Sequence, residues 1–283
     1  MFKLEPELYN SFTDNKYYNE VLENSFNIIN NKLNRKFDVI VDLGCAEGGI
    51  TKLLSTRVPH RKLVAIDTVP DLLSYARQYN TGPTIDYQLQ DMSVEWPQLS
   101  PQLRQLETTV DLVFANFVVP HFTDKTKLMS LISKLLAPGG GVFHSNNMLY
   151  PDLNKKLLPK YKGPKPWYPS IEKQIDDYRH SLLDNGFQIK EFTIVEKHWK
   201  WSRKQAIEMM PYAVEDFRQF YPNRQLFDEE VGEHLWDTLF DAYRNQPDDP
   251  PVADGAWKQF LADESQTEID DCIPYIRIVA IKD

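Results

Sequence analysis

The feature that most constrains this chain is a β-branched run, Phe37 to Leu43, that empties through Gly44-Cys45-Ala46-Glu47-Gly48 into a helical pattern carrying Ile50, Leu53 and Leu54. A strand that leaves through a bend of small residues into a helix is the opening half of a βαβ unit, because parallel strands need such a crossover. The motif then repeats. Leu63 to Ile66 is a second apolar run closed by Asp67, and Pro70 stands near the start of the next helix, whose buried face is Leu72, Leu73 and Ala76. Proline is tolerated there because first-turn amides have no helical partner. Ile85 to Leu89 is a third strand, ending near Asp91, and Val110 to Ala115 a fourth, leading to a helix with Leu128, Leu131, Ile132, Leu135 and Leu136. Ala137-Pro138-Gly139-Gly140 stops that helix, and Gly141 to Ser145 forms a fifth strand. This alternation predicts an α/β fold: a doubly wound, mostly parallel sheet with helices on both faces.

The flanks are less regular. Tyr18, Val21, Leu22, Ser25, Phe26 and Ile29 recur at helical spacing and predict an amphipathic opening helix. Tyr150 to Pro169 is rich in proline and lysine and reads as a surface insertion. Ser170 caps a helix that runs to Asn185 and closes on Gly186 in the left-handed conformation. Gln188 to Lys197 is a strand, Ser202 to Asp271 is mainly helical with Trp236, Leu239, Phe240 and Tyr243 on one face, and Ile273 to Ile281 ends the chain as a strand. The expected organisation is an N-terminal helical segment (1–36) closing over the site and an α/β core (37–200). A helical lid or substrate subdomain (201–272) and a final core strand (273–283) complete it.

Composition removes several classes of function. A net charge of −9 without a long basic block argues against nucleic acid, and the strip from Lys155-Lys156 to Lys165 is a Pro-rich loop first. Two cysteines, Cys45 and Cys272, make neither a disulfide framework nor a metal-ligand spacing, and no His and carboxylate cluster stands at ligand spacing. No metal is expected. The first residues lack a signal-peptide core and no apolar run is long enough to span a bilayer, so the expectation is a soluble cytoplasmic protein, monomer or homodimer.

The residues able to carry chemistry stand at strand ends. Glycines at 44 and 48 let a ligand approach the backbone, and the following helix start offers amide donors. Asp67 follows Asp42 by 25 residues and is placed to accept both hydroxyls of a ribose. Asp91 suits an adenine amino group, with the Met92 amide beside it, and Asn116 ends the fourth strand. A dinucleotide fingerprint requires glycine where Ala46 stands, and the Asp42 carboxylate repels a phosphate while suiting a cationic ligand.

This order of motifs resembles the class I S-adenosylmethionine-dependent methyltransferases over about Phe37 to Asn146. Their glycine motif matches Asp42 to Gly48, their ribose acid Asp67, their adenine-side acid Asp91, their fourth motif Asp111 to Asn116, and the loop before their fifth strand Leu136 to Gly140. The resemblance implies a seven-stranded Rossmann-like methyltransferase fold with a helical lid before the last strand. It further implies that S-adenosylmethionine, leaving as S-adenosylhomocysteine, is held by Tyr9, Asp42, Gly44, Cys45, Ala46, Gly48, Asp67, Thr68, Asp91, Met92, Asn116 and Phe117. Ala46 departs from the usual middle glycine, which implies an altered donor pose or, in the alternative, an inactive cofactor-binding partner protein.

The layout is also similar to the trans-aconitate and juvenile-hormone-acid methyltransferases, through Leu8-Tyr9 and the strand Asp111 to Asn116. That similarity implies carboxyl O-methylation of a small organic acid. Two readings of the acceptor side stay open. Lys16 and His121 form a positive mouth for a carboxylate, which needs no base because it is already ionised; or His121 is the general base for a hydroxyl, phenol or amine. The aromatic and methionine-rich stretch Trp199, Trp201, Met209, Met210, Tyr212, Phe217 and Phe220 suits core packing. It also suits an adaptable apolar pocket in which Met209 and Tyr212 contact an amphipathic substrate.

Overall fold

The computed structural model describes residues 16–33, 35–150, 169–196, 199–219, 225, 235–237, 239–240, 255–271 and 274–283. In chain order, α1 (Lys16–Asn27) runs into a π-helical turn, Ile28–Lys32. β1 (Val39–Leu43), α2 (Gly49–Arg57), β2 (Lys62–Asp67), α3 (Pro70–Tyr79) and β3 (Ile85–Leu89) follow. Then come α4 (Pro101–Arg104), β4 (Leu112–Asn116), a 3-10 turn (Val119–His121), α5 (Lys125–Leu135), β5 (Val142–Met148), α6 (Ile171–Leu183) and β6 (Phe187–Val195). β7 (Trp199–Ser202), α7 (Arg203–Gln219), α8 (Ala256–Ala262), β8 (Glu268–Asp271) and β9 (Tyr275–Lys282) complete the order. The chain divides into two compact units. One holds Lys3–Met148, Asp176–Val195 and Ile276–Asp283; the other holds Met1–Phe2, Leu149–Ile175 and Glu196–Tyr275.

The first unit is built on a seven-stranded sheet of order β3-β2-β1-β4-β5-β9-β6. β1 pairs in parallel with both β2 and β4, β2 with β3, and β4 with β5. The predicted doubly wound sheet is the one observed. Its winding reverses between β1 and β4, and the carboxyl ends of these two strands open a crevice where open α/β sheets bind ligands. One face is covered by α1, whose Leu22 and Phe26 pack with Ile29, Ile40, Leu112, Phe114 and Val142. Beside the bend after β1, Cys45, Ala65, Leu73, Ala76 and Tyr87 form a second buried cluster.

Several boundaries differ from the sequence reading, each for a local reason. β4 begins at Leu112 rather than Val110, which makes only an isolated bridge to Leu136. Between them the Asp111 carboxylate accepts the Asp38 and Val39 amides at 2.6 and 3.1 Å, capping the start of β1. β5 extends past Ser145 through two asparagines to Met148, because those polar side chains find partners inside the sheet. The predicted helical stretch 202–271 is interrupted: β7 and β8 pair antiparallel, Trp201 opposite Ile269, so the aromatic alternation of Trp199-Lys200-Trp201 is strand chemistry. β6 ends at Val195, short of Lys197. Gly186 closes α6 in the left-handed region as expected, with φ 72°.

Candidate active site

At the carboxyl end of β1 the chain takes positive φ three times in five residues: 72° at Gly44, 47° at Ala46 and 84° at Gly48. A Cβ on Gly44 would lie 2.4 Å from Val118 Cγ2, and one on Gly48 2.4 Å from the Tyr87 hydroxyl. Glycine is therefore required at both positions by conformation and by space. Ala46 carries its methyl group in the left-handed region, at a cost of about 1 kcal/mol.

The amides of this bend are engaged within the protein. Gly44 and Cys45 both donate to the Ile66 carbonyl at 2.8 and 3.1 Å, and Gly48 donates to Cys45 O at 2.9 Å. Ala46 N–H donates to Asp67 Oδ2 at 2.9 Å, while Gly49 N–H donates to Glu47 Oε1 at 3.2 Å. Asp67 Oδ1 also accepts the Val69 amide at 2.9 Å, so each of its oxygens has one backbone partner and keeps a lone pair for a further donor. Asp67 thus ties the bend to the end of β2 and presents a half-buried carboxylate beside it.

Asp42 and Glu47 flank the same bend and are buried, with 2% and 3% exposure. Asp42 Oδ2 accepts the Thr51 hydroxyl at 2.7 Å. Burial pushes the Asp42 carboxyl up to about 7, against the lowering effect of the Thr51 bond, with Asp67 adding to the rise. Glu47 is pushed up to about 7 for the same first reason, and Asp42 and Asp67 raise it further. The Cys45 thiol, buried among all three acids, is pushed well up. Three carboxylates around a bend whose amides are already bonded disfavour a phosphate, which needs donors and repels anions. The same set suits a ligand with a cationic centre and a ribose.

The end of β4 forms the other wall. Asn116 donates from Nδ2 to the Tyr18 hydroxyl of α1 at 2.8 Å and accepts on Oδ1 from Asn146 Nδ2 at 2.9 Å. Asn146 also donates to Ser25 Oγ at 2.9 Å, and Ser25 donates to Val21 O. Phe117 follows with φ 59°, its ring 5.5 Å from that of Tyr18 and its amide donating to Asn146 O at 2.7 Å. A bulky residue held at positive φ beside a strand end is strain of the kind that clusters at functional sites.

Of the residues singled out in the sequence, the structure brings Asp42, Gly44, Cys45, Ala46, Gly48 and Asp67 together around the bend. Asn116 and Phe117 stand at the adjoining end of β4, whose following residue Val118 lies over Gly44. Thr68 and Asp91 are exposed; Asp91 accepts the Ser93 amide at 2.7 Å in its own turn, and Met92 is buried. His121 is exposed at the end of the 3-10 turn after β4. Lys16 begins α1, but its side chain, like that of Tyr212, lies outside the described residues, as does the whole of Tyr9. Met209 is half-buried in α7, in the other unit. Sequence reasoning passed over Glu47, Thr51 and Tyr18. An acid directly before the last glycine of the bend was the available signal for the first; nothing in spacing marked the other two. Among the described residues no group of three His, Cys, Asp or Glu side chains converges to hold a metal ion.

Residues 40–140 match the family described as a methyltransferase domain. The chain is 30% identical over 133 residues to a trans-aconitate 2-methyltransferase of Methylobacterium radiotolerans, a match covering 46% of each chain, so it spans less than half of that relative's length. Among solved structures, the YcgJ protein of Bacillus subtilis aligns with a TM-score of 0.56 at 12% identity, covering 92% of this chain and 98% of that one. The [4+2]-cyclase SpnF aligns with a TM-score of 0.53 at 13% identity, covering 98% of this chain and 92% of that one. Both likenesses concern the fold; a shared fold carries different chemistries.

Proposed function

We propose that the chain is a class I S-adenosylmethionine-dependent methyltransferase, its residues 40–140 matching a methyltransferase domain, and that it transfers a methyl group from that donor to the carboxylate of a small amphipathic or apolar acid. One observation carries the reading: the bend at 44–48 has its amides bonded internally and three carboxylates around it, a set that fits an ammonium and a sulfonium and opposes a pyrophosphate. Asp67, with a lone pair left on each oxygen, holds the ribose hydroxyls; Asp42 and Glu47 supply negative potential near the methionine part. The donor, when bound, supplies a methyl group activated by positive sulfur. The protein's own work is to hold the acceptor oxygen in line and to exclude water, which accounts for most of the barrier reduction in such a displacement. The new C–O bond forms as the C–S bond breaks, the electron pair goes to sulfur, and a carboxylate has no proton to lose.

The named activity of the trans-aconitate relative supports an acid acceptor. The exposed His121 on the turn after β4 favours a second reading, in which it takes a proton from a hydroxyl or amine acceptor. The proposed setting is the cytoplasm, with a monomer or homodimer acting on a small molecule. Among the described residues no helix is long and apolar enough to cross a membrane, and the net charge of −9 opposes polyanions. Calorimetry with S-adenosylmethionine and S-adenosylhomocysteine tests the donor site, and transfer of a labelled methyl group to panels of acids, phenols and amines tests the acceptor. Base-stable methyl incorporation only into phenols or amines overturns the carboxylate reading. Affinity for neither donor nor product overturns the whole.

A further inference from the structure

We infer that Asn185–Gly186, at the carboxyl end of α6, is a self-modification site: the step deamidates through a cyclic imide when this turn opens, and the folded chain holds it unreacted. The inference is independent of the methyltransferase reading and concerns the amino edge of the sheet, away from the crevice. It begins in the sequence, where Asn185–Gly186 is the chain's one Asn-Gly step. In imide formation the backbone nitrogen that follows an asparagine attacks its side-chain carbonyl carbon. A side chain on the attacking residue hinders that approach, and glycine, with no Cβ, leaves it open. The fold demands this glycine. Gly186 closes α6 with φ 72°, and a Cβ there would lie 2.9 Å from Lys282 Nζ. The residue that the helix end needs is the one that makes its neighbour reactive. In the reaction the Gly186 nitrogen gives its proton to solvent base and bonds to Asn185 Cγ, the Cγ–Nδ2 bond breaks, and ammonia leaves with a proton taken from water. Water then opens the imide at either carbonyl and leaves an aspartate or an isoaspartyl linkage.

Both reacting groups are engaged in the folded chain. The Gly186 amide donates to Leu183 O at 3.2 Å. Asn185 Nδ2 donates to Ser181 O of α6 at 2.8 Å and to Thr126 O of α5 at 3.2 Å. The Asn185 carbonyl is held from two further places: Ser133 Oγ of α5 donates to it at 3.0 Å and Lys282 Nζ of β9 at 3.1 Å. The Asp283 amide donates to Gly186 O at 3.2 Å. The peptide between the two residues is thus fixed on both sides, and its nitrogen reaches Cγ only when the turn opens. Reaction through a local opening runs at the intrinsic rate multiplied by the open fraction, so each bond lost raises the native rate and leaves the unfolded rate alone. The product cannot restore the helix end. A carboxylate has no proton for the Ser181 and Thr126 carbonyls, and an isoaspartyl linkage lengthens the backbone itself.

The test incubates the full-length protein at mildly alkaline pH, folded and in guanidinium chloride, and separates the asparagine, aspartate and isoaspartyl forms of the peptide around residue 185 by chromatography and mass spectrometry. The expected result is conversion of the unfolded chain with the folded chain slower by at least about 100-fold. Lys282→Met, which keeps an unbranched side chain and removes the bond to the Asn185 carbonyl, and Ser133→Ala are each expected to speed native conversion about 3- to 10-fold, with the rate in denaturant unchanged. Ile40→Val, which lowers global stability from the core beneath α1 without touching this turn, is expected to leave the native rate as it is. No conversion in denaturant overturns the reactivity, and native conversion as fast as that in denaturant overturns the protection. Wild-type native rates in both Lys282→Met and Ser133→Ala overturn the role given to the bonds on the Asn185 carbonyl. Equal acceleration by Ile40→Val shows that reaction waits for global unfolding and overturns the local opening.

Discussion

At the scale of single residues, the bend after β1 combines strain with specificity. Ala46 holds φ 47° although a glycine would hold it without penalty. Ala46→Gly is therefore expected to stabilise the protein by about 0.5–1 kcal/mol, seen as a higher denaturant midpoint at unchanged slope. A lower midpoint would show that the methyl group packs usefully. Asp67 is the opposite case. Its two oxygens accept the Ala46 and Val69 amides, so Asp67→Asn turns an amide NH₂ toward an N–H. A loss of about 1–3 kcal/mol is expected together with a fall of at least about tenfold in donor affinity, measured by chemical denaturation and calorimetry. Retained affinity would remove Asp67 from the donor site. The spacing of Asp42 and Asp67 was legible in the chain because strand ends recur at predictable intervals. Glu47 was not, since only the fold shows that its side chain turns inward to cap the Gly49 amide.

At the scale of elements, β5 shows what a pattern of apolar runs misses. Its residues His144 to Asn147 are fully buried and polar, so the hydrophobic signal stops where the strand does not. His144 lies stacked on Phe114 with ring centroids 5.6 Å apart, and neither ring nitrogen has a partner among the described residues. Burial holds its pKa down to about 3, with the Arg277 charge adding to the fall and Glu191 opposing it. Between about 3 and its ordinary 6.5 the unfolded chain binds a proton that the folded chain refuses, so stability falls as pH drops through that window. His144→Phe, which keeps the stack and removes the titrating group, is expected to raise Tm more at pH 5 than at pH 8; an equal shift at both would refute the account. β9 and β6 are tied by Arg277 Nε donating to Glu191 Oε1 at 2.6 Å, with Lys32 3.4 Å from the same carboxylate. Arg277→Met is expected to cost about 1–3 kcal/mol in denaturant unfolding, because a partly buried carboxylate then relies on Lys32 alone.

At the scale of the whole molecule, two buried acids make donor binding and pH one problem. Asp42 and Glu47, ordinarily near 3.8 and 4.5, are each held up at about 7, so the folded chain keeps protons through that window that the unfolded chain has released. Their contribution to stability therefore declines as pH rises from about 4 to about 7 and is level above it. A cationic donor favours the ionised forms, so its affinity is expected to strengthen between about pH 6 and about pH 8 with release of protons. Calorimetry in buffers of different ionisation enthalpy measures that release, and a binding reaction that releases none would show that the two acids do not face the donor.

What the sequence determined by itself was the succession of strands β1 to β5 and the places where β1 to β4 end, because hydrophobic period and glycine bends are local properties of the chain. Those alone placed Asp42, the 44–48 bend, Asp67 and Asn116 on one edge of a parallel sheet. What only the tertiary structure decided was which atoms meet across long separations: Tyr18 with Asn116, Ser25 with Asn146, and the carboxylates of Asp42 and Glu47 shut away from water. Such contacts depend on how α1 lies over the sheet and on the loss of solvent around each group. Neither is written in the spacing of residues, because desolvation belongs to the packed state and not to the chain.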